Sequence, residues 1–276
     1  MGGKDRSQGA LAEYTPQERR LRFLLIHGGF HGAWCWRDLN PQIERLGHEA
    51  VAIDLPGHGE RRGELSTLAN RRDAIVSAMR QGDVLVGHSA GGFDITLAAD
   101  AACEKVGHLV YLAAGVPIEG HTLLEALGGA QGRDSHADDE ISRLQDMVPS
   151  RALRPTTDGY VEWVDKDLAR QYFYHDCSEQ LLDWAFEQLT PAPQQILTEP
   201  VTMPRFWTAA LPRSYIACLK DRIVPFAKAL AFAGRLGVMP LFIGTSHSPF
   251  FSRPAELAAL LMRATATRPV AAPQSY

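Results

Sequence analysis

The sequence predicts an α/β fold, with a mostly parallel twisted sheet, helices on both of its faces and an inserted helical cap. Short apolar runs alternate with stretches of helical periodicity, and those stretches are long enough to be crossovers between parallel strands. The chain has 276 residues, of which 45% are hydrophobic and 22% charged. This composition is typical of a globular protein with a sizeable core.

Each predicted strand is a run of about four apolar residues, many of them β-branched, as expected for strands buried on both faces. The helices are predicted where apolar residues recur at helical spacing. Pro254 stands at an early position of the last helix, where its missing N–H is not needed. The strands are predicted at 23–26, 50–53, 83–86, 108–113, 215–218 and 240–243, and the helices at 38–46, 65–79, 91–103, 225–236 and 254–264.

The alternation stops in the middle of the chain. Residues 117–203 are too long for a loop and too polar for a sheet, so they are predicted to be a cap inserted into a core of residues 21–116 and 204–266. The cap includes a polar, glycine-rich stretch at 128–140 that is predicted to be mobile, and it ends in a proline-rich segment. Residues 1–20 are predicted to be a flexible leader and 267–276 a flexible tail.

Charge and cysteine usage exclude several classes of function. The net charge is −4, which gives no basic patch for nucleic acid or for a membrane surface. No apolar run is long enough to cross a bilayer, and the first twenty residues lack the apolar core of a secretory signal.

The four cysteines form no C-x-x-C pair, which favours reduced thiols in a cytoplasmic protein, although the formation of one disulfide is left open. The expected partner is a small-molecule substrate, and the oligomeric state is left open, a homodimer included.

The most informative motif is G-x-S-x-G at residues 87–91. It follows a predicted strand and precedes a predicted helix, so Ser89 would lie on a sharp turn with its hydroxyl exposed above the sheet edge. The helix N-terminus offers free N–H groups and a positive dipole end to a developing oxyanion. Ser89 is therefore the candidate nucleophile, and the alternative is an ordinary glycine-rich turn.

A serine hydroxyl needs a base, and the base needs a group that orients it. His247 follows the last predicted strand and precedes a helix, which fits the base better than the other nine histidines do. Asp221 follows the preceding strand, and the order Ser89, Asp221, His247 is the one expected for a nucleophile on such a turn. The alternative for Asp221 is a turn residue that caps the next helix. Asp54 is the rival acid and is interpreted as a turn residue.

An oxyanion hole needs two backbone N–H groups aimed at one point. Ala90, directly after the nucleophile, is expected to supply one of them. The glycine-rich loop after the first strand, residues 27–32, is expected to supply the other. Gly29 is the first choice in that loop and Phe30 the second, and a plain glycine-rich turn is the alternative.

These motifs together resemble the α/β-hydrolase superfamily. Residues 27–36 are similar to the H-G-x-x-H-G-x-W-x-W loop of the branch that contains plant methylesterases, hydroxynitrile lyases and bacterial esterases, and pyrethroid-type carboxylesterases look closest near the C-terminus. The resemblance covers residues 21–116 and 210–262. It implies Ser89 as nucleophile, Asp221 as acid and His247 as base, with Gly29 and Ala90 at the oxyanion. Hydroxynitrile lyases carry lysine where this chain has Ser248, which favours hydrolysis.

The substrate pocket is expected to be apolar. The cap carries many aromatic residues, among which Trp163, Phe173 and Trp184 are candidates for its wall, while the resemblance implies that His31 and Trp34 shape its floor. No arginine or lysine cluster marks a clamp for a carboxylate or phosphate. The predicted function is a serine hydrolase for a neutral hydrophobic or aromatic ester, without organic cofactor or metal. The alternatives are an amide, carbamate or C–C bond hydrolase, a cofactor-independent dioxygenase, and a non-catalytic ligand receptor.

Overall fold

The structure is a computed structural model that describes residues 20–128 and 148–266. The predicted leader up to residue 19, the predicted tail and nearly all of the stretch predicted to be mobile lie outside the described residues.

The described part of the core is organised around a six-stranded sheet with the order β2-β1-β3-β4-β8-β9. Every neighbouring pair in this sheet is parallel, so all strands end at the same edge. The predicted α/β class, with its mostly parallel sheet, is confirmed. The strands are β1 (Arg22–Ile26), β2 (Glu49–Ile53), β3 (Asp83–His88), β4 (Val106–Leu112), β8 (Arg213–Cys218) and β9 (Leu241–Ile243).

Helices cover both faces of this sheet because the strands bury apolar side chains on both sides. Phe23 and Leu25 of β1 pack in one apolar cluster, while Leu24 and Ile26 pack in another on the opposite face. This alternation follows from the period of two residues in a strand. The core helices are α1 (Asn40–Arg45), α2 (Leu68–Ala78), α3 (Gly91–Ala101), α8 (Phe226–Arg235), α9 (Pro249–Ser252) and α10 (Pro254–Ala266).

Helices α2 and α3 are joined by a buried ion pair. The Arg71 guanidinium donates to both oxygens of the Asp94 carboxylate, at 2.8 and 2.7 Å. Both side chains are almost completely buried, and Asp94 lies in the first turn of α3. The pair therefore holds the helix that begins beside Ser89.

The segment between β4 and β8 is only partly helical. It contains a three-stranded antiparallel sheet with the order β5-β6-β7 beside its helices, so the expectation that this segment is too polar for a sheet was wrong. The strands are too short to show a clear period in the sequence, and only β6 has alternating burial. The elements are α4 (Leu123–Gly128), β5 (Leu153–Pro155), β6 (Tyr160–Trp163), α5 (Lys166–Phe173), α6 (Glu179–Gln188), β7 (Ala192–Pro193) and α7 (Gln195–Thr198).

Within residues 20–128 and 148–266, none of the helices combines the length and apolar character that crossing a bilayer requires.

Candidate active site

Ser89 lies in a tight turn between β3 and α3. Its φ is 53°, in the left-handed region that L-residues rarely adopt, which is the strained geometry of a nucleophile turn. The turn depends on close backbone approach at its glycines. A Cβ on Gly87 would lie 2.5 Å from the carbonyl oxygen of Gly91, and a Cβ on Gly91 would lie 2.7 Å from that of His27. Side chains at these two positions would force the turn apart.

Asp221 and His247 form a buried pair at the same edge of the sheet. The His247 Nδ1 lies 2.7 Å from Asp221 Oδ2. The other carboxylate oxygen accepts from the backbone N–H groups of Ile223 and Val224, at 2.7 and 2.9 Å. Because a carboxylate only accepts, Nδ1 carries the proton, which leaves Nε2 of His247 free to accept one. Asp221 thus orients the imidazole and also caps the turn before α8.

His88, the residue before Ser89, supports the backbone of His247. Its Nε2 donates to the His247 carbonyl at 2.8 Å, and the two ring centroids are 4.5 Å apart. Burial, first of all, and then the neighbouring His247 lower the pKa of His88 well below its ordinary value, so the ring is neutral. The G-x-S-x-G pattern allows any residue at this position, so the sequence carried no signal for the contact.

Two histidines hold successive peptide groups of the loop at residues 27–32, which we call the oxyanion loop. Nδ1 of His27 lies 2.9 Å from the Gly28 carbonyl, and Nδ1 of His31 lies 2.9 Å from the Gly29 carbonyl. In a trans peptide the N–H points opposite to the carbonyl. The N–H groups of Gly29 and Phe30 therefore point away from the imidazoles, and no hydrogen bond within the described residues uses either of them or that of Ala90. These three are the groups predicted for the oxyanion hole.

Phe30 is held in an uncommon conformation. Its φ is 66°, in the left-handed region, where a bulky residue is strained. Its carbonyl accepts a hydrogen bond from the backbone N–H of Thr190, at 2.9 Å. Thr190 lies between α6 and β7, so the segment inserted between β4 and β8 contacts the oxyanion loop directly.

The last residue of α5 and the residues just after it also contact the loops that carry the candidate acid and base. Asp176 accepts from the Ser246 N–H at 2.8 Å, and the Ser246 hydroxyl donates to the Phe173 carbonyl at 3.0 Å. His175 Nε2 lies 2.9 Å from the carbonyl of Lys220, the residue before Asp221. Sequence reasoning missed these contacts, because the hydrogen bonds join residues far apart in the chain and no motif marks them.

A cavity lies over Ser89, and the described residues that line it include no aspartate, glutamate, lysine or arginine. Its polar side chains are those of Ser89 and the three histidines His31, His88 and His247. The rest of the described wall is apolar or aromatic. It consists of Gly29, Phe30, Ala90, Gly115, Leu123, Leu127, Val148, Leu153, Val161, Trp163, Phe173, Ala192, Ile196, Leu197, Ile223 and Val224.

Three of the five predicted pocket residues line this cavity: His31, Trp163 and Phe173. Trp34 and Trp184 do not, and here the prediction was wrong. Trp34 stacks on His31 with centroids 5.2 Å apart and packs edge-on against Trp184 at 5.4 Å. The Arg37 guanidinium covers Trp184, 3.6 Å from the ring centroid. The two tryptophans therefore pack between core and cap rather than in the wall.

Comparisons with known proteins agree with this architecture. The model of the alpha/beta hydrolase family matches residues 23–260. Norfluorocurarine synthase 2 from a Strychnos species is 27% identical, with 92% of this chain and 98% of that protein covered. Methyl jasmonate esterase 1 from Vitis vinifera is 26% identical, with 89% and 97% covered.

Among solved structures, a pyrethroid hydrolase from Sphingobium faniae JZ-2 superposes with a TM-score of 0.74 at 24% identity, covering 90% of this chain and 98% of that one. At this identity the likeness shows the shared fold. The family match extends over both the Ser89 turn and the loops of Asp221 and His247. The chain belongs to the alpha/beta hydrolase family and is a hydrolase enzyme.

Proposed function

We propose that this hydrolase cleaves neutral hydrophobic or aromatic esters through an acyl-enzyme on Ser89. The observation that carries the proposal is the buried Asp221–His247 pair, which lies at the same sheet edge as the strained Ser89. Ser89 and His247 both line a cavity whose described wall includes no acidic or basic side chain other than histidine. The esterase activity in the name of the Vitis vinifera relative supports an ester rather than an amide.

The chemistry follows from the protonation states. The hydroxyl of Ser89 attacks the ester carbonyl while Nε2 of His247 takes its proton, and Asp221 stabilises the imidazolium. The N–H of Ala90 and one N–H of the oxyanion loop, from Gly29 or Phe30, stabilise the oxyanion. His247 then protonates the leaving alcohol. Water, activated by the same imidazole, hydrolyses the acyl-enzyme and restores Ser89.

The uncharged wall supports a neutral substrate. A free carboxylate in this cavity would lose its hydration without gaining a cationic partner, and burial of an unpaired charge is costly. We therefore propose a substrate whose acyl or aryl group is apolar throughout.

A cytoplasmic location is a prediction that rests on the cysteine pattern.

The test compares wild type with Ser89→Ala on p-nitrophenyl butyrate, with Ser77→Ala as the matched control. Ser77 is an exposed serine on α2. We expect the wild type and Ser77→Ala to hydrolyse the ester and to gain a single fluorophosphonate adduct by intact mass. Ser89→Ala should lose both properties, with turnover reduced by at least about 10³-fold.

A second substrate tests the neutral class. The mono-p-nitrophenyl ester of succinate resembles the butyrate in length but ends in a carboxylate. We expect its kcat/KM to be at least about tenfold lower, since one unpaired buried charge costs more than the 1.4 kcal/mol that a factor of ten represents. Equal kcat/KM for both esters would contradict the neutral class, and a wild type that is neither active nor labelled would contradict the serine mechanism.

A further inference from the structure

We propose that Tyr174, acting through His31, is a positioning residue for the oxyanion loop, so that transition-state stabilisation depends on a contact from the cap. The inference rests on the proposed function, because it concerns the group that would stabilise the oxyanion. Neither the family match nor the names of the relatives assigns a role to Tyr174.

The first step is the hydrogen bond between Tyr174 and His31. The Tyr174 hydroxyl lies 2.7 Å from His31 Nε2, and both side chains are almost completely buried. The two residues are 143 positions apart in the sequence. Tyr174 follows directly on α5, whereas His31 belongs to the oxyanion loop.

The second step is the tautomer of His31. Its Nδ1 faces the Gly29 carbonyl, which can only accept, so Nδ1 carries the proton. Nε2 is then an acceptor, and the Tyr174 hydroxyl donates to it. Burial lowers the pKa of His31 to about 4, which agrees with a neutral ring near pH 7. The tyrosine thus selects the tautomer that holds the Gly29 carbonyl.

The third step is the strain that this bond helps to maintain. The peptide between Gly29 and Phe30 has its carbonyl fixed by His31, and the next carbonyl, that of Phe30, is fixed by Thr190. Between these two contacts Phe30 adopts its left-handed φ of 66°. Such a conformation is strained and persists only where its surroundings over-determine it. Loss of the Tyr174 donor removes one of these restraints.

The role is an indirect one, because Tyr174 does not line the cavity and cannot contact a substrate there. Its removal should therefore weaken binding of the transition state without changing ground-state binding. This expectation separates a positioning role from a role in pocket shape.

The experiment compares Tyr174→Phe with the matched control Tyr172→Phe. Tyr172 lies two residues earlier, is only half-buried and is outside the cavity wall. We expect Tyr174→Phe to lower kcat for p-nitrophenyl butyrate about tenfold with KM within twofold, since removal of a whole oxyanion donor costs about 10²–10³-fold. Tyr172→Phe should match the wild type in both constants.

Two inhibitors report the oxyanion directly. A trifluoromethyl ketone forms a tetrahedral adduct with serine and places an oxyanion in the hole, whereas the ether analogue of the substrate places none there. For Tyr174→Phe the inhibition constant of the ketone should rise by the same factor as kcat falls. That of the ether should stay within twofold.

Two amide variants at His31 keep the inference testable if Tyr174→Phe folds poorly. In His31→Asn an amide N–H can occupy the place of Nδ1 and donate to the Gly29 carbonyl. In His31→Gln the amide reaches the place of Nε2 instead. We expect His31→Asn to retain at least about tenfold more kcat than His31→Gln.

The inference is overturned if Tyr174→Phe retains wild-type kcat and ketone inhibition, if the ether and the ketone weaken equally, or if the two His31 variants are equally active. Those results leave the proposed function intact, because the wild type still hydrolyses the ester. A wild type that is neither active nor labelled by fluorophosphonate instead overturns the proposed function, and the inference is overturned with it.

Discussion

Asp221 uses each of its carboxylate oxygens for a different purpose. One accepts from His247, and the other accepts from the N–H groups of Ile223 and Val224. The sequence left a choice between a triad acid and a turn residue that caps a helix. The structure shows that one side chain makes both sets of contacts, so the two alternatives do not exclude each other.

This division predicts a severe effect of Asp221→Asn. Only the amide oxygen can accept from Ile223 and Val224, so the amide NH₂ must face Nδ1 of His247. Nδ1 then has to be the acceptor, Nε2 carries the proton, and the imidazole cannot take a proton from Ser89. We expect kcat to fall about 10⁴-fold, the size of the effect when a triad histidine is held in the wrong tautomer. Steady-state kinetics on p-nitrophenyl butyrate measures it.

The control for this substitution is Asp73→Asn, at an exposed position on α2. It should leave kcat unchanged, and circular dichroism should show the same fold for both variants. Activity of Asp221→Asn within tenfold of the wild type would contradict the assignment of Asp221 as the orienting acid.

At the residue scale, the sequence predicts best those site residues that follow strands. Parallel strands end at one sheet edge, so the sequence alone predicts that the residues after three of them, Ser89, Asp221 and His247, lie close together. Trp34 and Trp184 were misplaced because composition does not say which way an aromatic side chain faces when two layers meet. Nothing in the sequence distinguishes Tyr174 from the other aromatic residues of the cap, since its contact with His31 depends on how the cap docks.

Among the elements, the turn from β3 into α3 has no room for added volume at Gly87. A Cβ at Gly87 would clash with backbone rather than with a movable side chain. We expect Gly87→Ala to displace Ser89, to lower kcat by at least about 10²-fold and to destabilise the fold by about 1–3 kcal/mol, the usual range for overpacking. Kinetics and urea unfolding test both effects.

Gly234→Ala in α8 is the matched glycine control. Outside its two chain neighbours and the nearby backbone of its own helix, no described atom lies within 4 Å of the Cβ that it would add. Alanine is the better helix former, so stability should be unchanged or higher by up to about 1 kcal/mol, with kcat unchanged. Full activity of Gly87→Ala would show that the turn is looser than this geometry implies.

The buried pair of α2 and α3 predicts a large effect on stability. Asp94→Ala leaves the Arg71 guanidinium buried without its carboxylate partner, and removal of one member of a buried pair costs about 3–5 kcal/mol. Replacing both by apolar residues, Arg71→Met with Asp94→Leu, should be less harmful than Asp94→Ala alone. Urea unfolding of the three variants tests this, and a double variant less stable than Asp94→Ala would contradict it.

The small sheet of the cap shows where prediction of elements fails. Strands of two to four residues, such as β7 (Ala192–Pro193), contain at most two repeats of the two-residue strand period, too few to recognise in a sequence. The core strands were predictable because they read as continuous apolar runs, and the central ones, such as β3, are buried on both faces. An element could therefore be predicted where its run of apolar residues was long enough to show a pattern.

For the whole molecule, buried histidines link stability to pH. Burial is the main cause of a lowered pKa at five of them. It lowers the pKa of His31 and His108 to about 4 and that of His58 to about 3. The pKa values of His27 and His88 also lie well below the ordinary value. In the unfolded chain these groups titrate near pH 6.5.

The sign of the effect follows from the protons bound. Between pH 6.5 and about 4 the unfolded chain binds protons that the folded protein does not, so folding stability falls as the pH falls. The stabilisation is complete above pH 6.5, and each histidine contributes a slope of up to about 1.4 kcal/mol per pH unit. Urea unfolding at pH 8, 6.5, 5.5 and 5 measures the slope, in a range above the ordinary carboxylate pKa values.

His108→Gln provides the control, because glutamine can keep a polar atom near Ser214 Oγ, which lies 2.9 Å from His108 Nε2. In this variant the slope of stability against pH should be smaller by up to about 1.4 kcal/mol per pH unit, which corresponds to one proton. A stability that does not change between pH 8 and 5 would contradict neutral burial of these histidines.

The strand order also has a consequence for synthesis. The block β2-β1-β3-β4 is contiguous in the sheet and is complete once residue 112 has been made, whereas the contacts of Tyr174 and Thr190 with the oxyanion loop are added later. The ribosome makes the chain from its N-terminus, and a domain generally folds as a unit. The strands that carry Asp221 and His247 are added later, at one edge. We therefore expect a nascent chain that lacks these strands to be inactive, so that the appearance of turnover reports that translation has passed His247.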